Sequence, residues 1–333
     1  MGVALRDILN DYKAPVGWDS LGGIAALDAH NALYQFLSII RQPDGTPLMD
    51  REGRVTSHLS GILFRTVNFI EKGIKPVYVF DGAPPAFKQE TIALRRSQRK
   101  EAGERWQEAL ERGDTEEAYK QARASSRIDD FVIASSRTLL GLMGIPCVGA
   151  PSEGEAQAAH MVISGDARYM VSQDYDTLLF GAPLLIRNLT VSGRRKIHGR
   201  TVTLNPEKII LDEVTRGLKI TREDLVKVAI LVGTDFNPGV RGIGAKTALK
   251  IVQKQEFESV VTEKMPETDY QSIMDFFLHP PVRSDYSLKW DPADQDGILR
   301  MLCGTHDFSE ERVKKALEGL GVTTSQKTLD AWF

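Results

Sequence analysis

The sequence predicts an α/β fold: a mostly parallel central sheet flanked by helices, with a helical insertion in the first half and a helix-hairpin-helix region in the second. Three observations predict it. Short apolar runs alternate with segments of helical periodicity, four of those runs lead into carboxylates, and beyond about Asn205 helical spacing takes over.

The elements follow in order. Ile24 to Leu27 is an apolar run ending at Asp28, and Leu33, Phe36, Leu37 and Ile40 then repeat at i, i+3, i+4, i+7, which reads as strand, carboxylate, helix. Leu59, Ile62, Leu63, Val67 and Ile70 predict a second helix stopped near Gly73, before a strand Pro76–Phe80 that ends at Asp81. From Gly82 to about Asp130 the strand pattern is interrupted by a charged helical stretch carrying Lys88 and Arg95. A helix over Leu139–Met143 then stops at Gly144, and a strand Ile145–Val148 leads to Glu153 and Glu155. Ser152 and Glu155 match a capping box at the start of the next helix. Arg168–Ser172 reads as a strand followed by Asp174 and Asp176, which lie on one face if the chain there is extended. Leu225, Val228, Ala229 and Val232 mark a helix closed by Gly233, and Asp235 sits in the loop beyond it.

At 333 residues the chain is long enough for about two domains, with a soft boundary near residue 200. The expected layout is an α/β core over 1–200 with its helical insertion at about 82–130. Residues 201–320 would hold the remainder of the core and a duplex-binding hairpin at about 225–255, and 321–333 a tail. Apolar residues make up 42% and charged residues 26%, which excludes disordered and fibrous classes. Two cysteines, Cys147 and Cys303, are too few for a disulfide framework, and no apolar run is long enough to span a membrane. Net charge is −3, yet Arg187–Arg200 and Phe236–Lys250 contain basic residues and no acid, so local patches suited to phosphate exist.

Ligands of open α/β sheets bind beyond the carboxyl ends of the strands. Asp28, Asp81, Glu153, Glu155, Asp174, Asp176 and Asp235 would therefore meet in one cleft. Singly, an aspartate after a strand is commonly a helix cap; seven carboxylates together repel unless cations join them, and an all-oxygen set favours Mg²⁺ or Mn²⁺. Two such ions suit in-line hydrolysis of a phosphodiester. Lys88 and Arg95 could offset charge developing on the phosphate, and Tyr34, beside the apolar stripe of its helix, could stack on a base. His30 follows Asp28 closely enough to act near the ions, although a packing or surface histidine is the stronger reading.

Gly239 to Leu249 places a glycine turn before a helix, but Ala245 separates Gly244 from Lys246, so the spacing fails for a P-loop and suits a helix-hairpin-helix that grips duplex backbone. At the end of the chain, Gln326, Leu329, Trp332 and Phe333 would fit an apolar pocket on a partner from a single helical turn.

Together, Leu27-Asp28-Ala29, Val79-Phe80-Asp81-Gly82, Pro151 to Ala156, Ser172 to Asp176, and Gly233-Thr234-Asp235 through Gly244 resemble the archaeal flap endonucleases, structure-specific 5′ nucleases of Okazaki fragment maturation and long-patch base excision repair. The resemblance implies a 5′ flap endonuclease, with possible 5′ to 3′ exonuclease activity. It makes the seven carboxylates direct or water-mediated ligands of two Mg²⁺ (or Mn²⁺), and Lys88 and Arg95 cations on the scissile phosphate. Tyr34 becomes a contact near the bent template, and Gly2 part of a buried amino-terminal segment near the site. The 82–130 insertion becomes an arch through which the 5′ strand threads, although its ten basic and ten acidic residues leave the attraction to the Lys88–Arg105 half. Gly242, Gly244 and Lys246 would hold downstream duplex, with K⁺ at the hairpin. The last eight residues resemble a box that binds the sliding clamp (PCNA). A chain ending at Phe333 without a basic tail implies an archaeal, cytoplasmic protein, monomeric when free and without a membrane partner. Related 5′ to 3′ exonucleases, bubble-cutting repair nucleases and a non-catalytic clamp-tethered adaptor are the alternatives.

Overall fold

The structure, a computed structural model, describes residues 2–191, 193–197 and 200–326, and their side chains except at 193–197, 200–203 and 321–326. Its centre is a seven-stranded sheet in the order β1-β9-β6-β5-β2-β3-β4. The strands are β1 (Ala14–Pro15), β2 (Gly23–Asp28), β3 (Ile74–Phe80), β4 (Cys147–Gly149), β5 (Tyr169–Val171), β6 (Leu184–Arg187) and β9 (Glu207–Ile210). The five from β6 to β4 are parallel, while β9 and β1 close one edge antiparallel. A separate two-stranded ribbon pairs β7 (Gly193–Ile197) with β8 (Arg200–Leu204). The parallel centre agrees with the sequence. The short strands β6 and β9 were not anticipated, and β9 carries the sheet past residue 200.

Alternation along the central strands divides the core between the two faces, as expected for a sheet covered on both sides. Ala26, Val77 and Val79 face one buried cluster, whereas Ala25, Leu27, Tyr78 and Phe80 face the other. The second face is covered by α2 (Ala29–Ile39), α3 (Ser57–Glu71), α6 (Asp130–Leu142), α14 (Gln295–Leu299) and α15 (Glu310–Gln326). The first face takes α1 (Arg6–Leu9), α7 (Gly154–Ile163), α8 (Asp176–Leu179), α9 (Leu211–Leu218) and α10 (Arg222–Val232). The same face takes α11 (Ala245–Gln253), α12 (Phe257–Lys264) and α13 (Tyr270–Leu278). The insertion is a long α4 (Gln89–Glu111) folded back on α5 (Thr115–Ala124) through buried Ala102, Ala109, Ala118 and Ala122.

From β2 the chain moves outward one way to β3 and β4, then returns to the other side of β2 for β5 and β6. That reversal creates a crevice beside the carboxyl end of β2, the place where such sheets bind ligands. Register sets its contents: Asp28 pairs with Val79 two residues before Asp81, and Leu27 pairs with Val171 three residues before Asp174. Among the described residues no helix is long and apolar enough to cross a membrane.

Candidate active site

Asp28 ends β2 and caps α2, its Oδ1 accepting from Asn31 N at 3.0 Å, so the cap and the site use one carboxylate. Asp81 follows β3 and does the same for a distant helix, accepting from Gly154 N at 2.7 Å. The capping box expected from Ser152 and Glu155 does not form. Glu153 is the N-cap residue, the Ser152 hydroxyl is buried without a hydrogen-bond partner, and Glu155 accepts from Ser172 Oγ at 3.0 Å. Asp81 instead caps this helix from a distance, at the N–H of its first residue, Gly154.

Asp174 and Asp176 also converge by a different route from the one expected. The chain at Tyr175 is helical rather than extended, and Asp176 opens α8. What brings the two together is the amino-terminal segment: Gly2 N donates to Asp174 Oδ1 at 3.0 Å and Val3 N to Asp176 Oδ1 at 2.6 Å. Gly2 has no room for a side chain, since a Cβ would lie 2.7 Å from Asp174 Cβ.

Lys88 and Arg95 complete the ring. Lys88 Nζ lies 2.5 Å from Glu153 Oε2 and 3.8 Å from Asp235 Oδ2, and Arg95 pairs with Asp235. Phe87 positions Lys88 by packing edge-on against Phe236, next to Asp235, and against Phe276 of α13, at 5.1 and 5.3 Å between centroids. An aromatic hinge thus ties the base of the insertion to the loop after α10, a connection that the charged pattern of the insertion did not reveal.

Two cations cannot neutralise seven carboxylates, and the acidities record the imbalance. Burial, with the charge of Asp81 second, holds the Asp28 carboxyl well above the usual carboxylate range. Burial and the charges of Asp28 and Asp176 do the same to partly exposed Glu155. Asp176 is pushed up to about 7 by burial and by Asp235 and Asp174. Glu153 is raised even beside Lys88, because burial outweighs the ion pair; Lys88 is raised in turn because its carboxylate neighbours outweigh its own burial.

This all-oxygen donor set, several of whose carboxyls are raised by burial and by one another, fits hard divalent ions. Among the described residues no three His, Cys, Asp or Glu side chains already stand as the ligands of one ion. Glu153 and Asp235 are drawn instead to Lys88 and Arg95, while Asp81, Asp174 and Asp176 are held by backbone N–H groups.

Of the other expected residues, His30 corrects the reading of a mere packing or surface histidine. Its Nδ1 lies 3.2 Å from both Asp81 N and Asp81 Oδ2. Tyr34 is half-buried on α2, one turn beyond His30. Gly242 has φ +85°, Gly244 is the N-cap of α11, and Lys246 is exposed on its first turn, so free N–H groups and a cation face solvent together. Gln326 ends α15, and Leu329, Trp332 and Phe333 lie outside the described residues.

Known proteins decide the family. Residues 1–102 match the XPG N-terminal domain and residues 144–235 the XPG I-region. A flap endonuclease 1 of Methanoculleus marisnigri is 67% identical, with all of each chain covered. The flap endonuclease 1 of Pyrococcus furiosus is 52% identical over all of this chain and 99% of its own.

The chain belongs to the flap endonuclease 1 family.

A solved relative of this family, flap endonuclease-1 from Methanococcus jannaschii, superimposes with a TM-score of 0.78 at 40% identity, covering 96% of this chain and 99% of its own. The catalytic core of Rad2 in complex with DNA substrate shares the fold at TM-score 0.70 and 23% identity, over 95% of this chain and 99% of its own. The flap endonuclease assignment makes the chain a structure-specific DNA nuclease and accounts for a carboxylate crevice met by Lys88 and Arg95 from the base of the insertion.

Proposed function

We propose that the crevice hydrolyses a phosphodiester at the junction of a 5′ single-stranded flap and duplex DNA, using two Mg²⁺ or Mn²⁺ held by Asp28, Asp81, Glu153, Glu155, Asp174, Asp176 and Asp235. The ions would supply a water-derived nucleophile at neutral pH and charge stabilisation for the departing 3′ oxygen. The observation that carries this reading is the meeting of seven carboxylates and two arch-base cations at the topological switch beside β2.

The chain's own part follows from the contacts. Lys88 and Arg95, paired with Glu153 and Asp235 in the DNA-free protein, exchange those partners for the scissile phosphate. Tyr34 offers a stacking face near the template, and the Gly2 segment fixes two carboxylates from below. Downstream duplex lies on the free N–H groups and Lys246 at the start of α11, with K⁺ held at Gly242–Gly244. The division into core, arch (82–130), hairpin (225–255) and tail (321–333) follows these roles. Gln326, Leu329, Trp332 and Phe333 bind a sliding clamp, and the enzyme works as a cytoplasmic monomer until it meets DNA and clamp.

End-labelled double-flap DNA, with Mg²⁺ and with chelator, beside the same oligonucleotides as a linear duplex, tests this. One dominant Mg²⁺-dependent cut at the flap base is expected. Stepwise mononucleotide release from the duplex alone, or junction binding without any cut, would overturn it.

A further inference from the structure

Asn31 is a neutral amide three residues past the end of β2 that no sequence pattern singles out. In the structure it touches two of the carboxylates. Its backbone N–H donates to Asp28 Oδ1 at 3.0 Å, and its side-chain Nδ2 donates to Asp174 Oδ2 at 2.8 Å. It therefore links the ends of β2 and β5, the two strands that flank the crevice.

The orientation of the amide is dictated by its surroundings. Its Oδ1 accepts from Gln173 N at 3.2 Å and from Gln35 Nε2 at 2.5 Å. Gln35 in turn accepts from the hydroxyl of buried Thr190 at 2.7 Å. Rotating the Asn31 amide by half a turn would set a carbonyl oxygen against a carboxylate and an NH₂ group against two donors. Thr190, Gln35 and Asn31 are thus a polarised line of donors, each pointing toward Asp174, and such lines strengthen their last bond. The opposite side of the same loop is fixed too, because Arg187 donates twice to Gln173 O, at 3.2 and 3.0 Å.

We infer that Asn31 is a positioning residue for the metal centre, with Gln35 and Thr190 as its support. It sets the rotation of the Asp174 carboxylate by occupying one lone pair of Oδ2, while Gly2 N occupies one of Oδ1, so that each oxygen keeps a lone pair for an ion. The inference rests on the reading of Asp174 as a metal ligand. Partners that orient ligands in this way are worth about 10- to 100-fold in metal affinity.

Mn²⁺ titration by calorimetry on the DNA-free protein tests it, for Asn31→Leu, Gln35→Leu and Asp174→Asn beside the native chain. Asn31→Leu should weaken Mn²⁺ binding about tenfold or more and Gln35→Leu by a smaller factor. Thermal stability and junction binding in chelator should stay close to native. Raising Mn²⁺ should restore much of the cleavage by Asn31→Leu and none of that by Asp174→Asn, which separates orienting a ligand from being one. If Asn31→Leu does not fold, Gln35→Leu decides. Native Mn²⁺ affinity in the folded amide variants, with affinity lost in Asp174→Asn, overturns the role of Asn31 alone. Native affinity in Asp174→Asn overturns the metal reading as well.

Discussion

Asp81 Oδ1 and Gly154 N, on different strands' exits and 73 residues apart, form a hydrogen bond of 2.7 Å that makes one carboxylate both a helix cap and a wall of the crevice. Gly154 can offer its N–H this way only because it has no side chain, for a Cβ would stand 2.7 Å from Asp81 Oδ1. Gly154→Ala should therefore push the carboxylate aside, lowering cleavage at least about tenfold while costing the fold only about 1–2 kcal/mol through the weakened cap. Cleavage rate and melting temperature measured on the same preparation check this; native cleavage would refute it.

The acid cluster predicts how divalent ions and pH combine. Asp176 titrates near 7 in the folded chain and near 4 when unfolded, so the folded state binds more protons between those values and metal-free stability falls as pH rises from about 4 to 7. Asp28 and Glu155, raised for the same causes, add to that slope. On the proposed metal role, Mg²⁺ competes with those protons, so it should raise the melting temperature more at pH 8 than at pH 5. An equal gain at both would count against the cluster as the binding site.

His58 works in the other direction. It is fully buried, its Nε2 pairs with Ser135 Oγ at 2.8 Å, its Nδ1 has no partner, and burial drops its pKa to about 3. The unfolded chain then binds the extra proton below about 6.5, so stability is lost as pH falls from there toward 3, by up to about 1.4 kcal/mol per pH unit. His58→Gln, which retains a polar partner for Ser135, should flatten the decline between pH 6.5 and 4.5. An unchanged slope would show that His58 does not titrate this way.

Phe87 links the base of the insertion to the loop after α10 and to α13. Phe87→Ala removes both edge-on contacts and should cost roughly 1–3 kcal/mol, less than full core burial because the ring is partly exposed. Lys88 then loses its anchor beside the crevice, and single-turnover cleavage should fall about tenfold or more with junction binding largely retained. Wild-type cleavage in this variant would exclude the link.

The tail gives a separable effect. Removing Trp332 and Phe333 should leave cleavage by the free enzyme unchanged and abolish its stimulation by a sliding clamp. Equal stimulation of the shortened chain would refute the docking role.

Where a single feature decided an element, the sequence was legible. Asp28 and Asp81 could be placed because β2 and β3 are apolar runs cut off abruptly by charge, and the hairpin because Gly242, Gly244 and Lys246 are spaced for a turn before a helix. Strands β6 and β9 escaped notice because four residues show no period, and β9 is recognisable only beside β6. The Ser152–Glu155 pattern misled because the helix begins one residue later than the box requires, with Glu153 as N-cap, and a distant carboxylate, Asp81, accepts from its first N–H. Asn31 and Phe87 were invisible for a related reason: a neutral amide and an ordinary aromatic acquire roles only from what folds against them.

The ion pair between Arg95 and Asp235 also orders events during synthesis. Its partners are separated by 140 residues, so at ribosomal speeds of about 5–20 residues per second Arg95 emerges roughly 7–28 s before the loop that completes the crevice. Until then the nascent chain carries Asp28 and Asp81 without their last companions. The crevice is thereby assembled late, after most of the chain has left the ribosome.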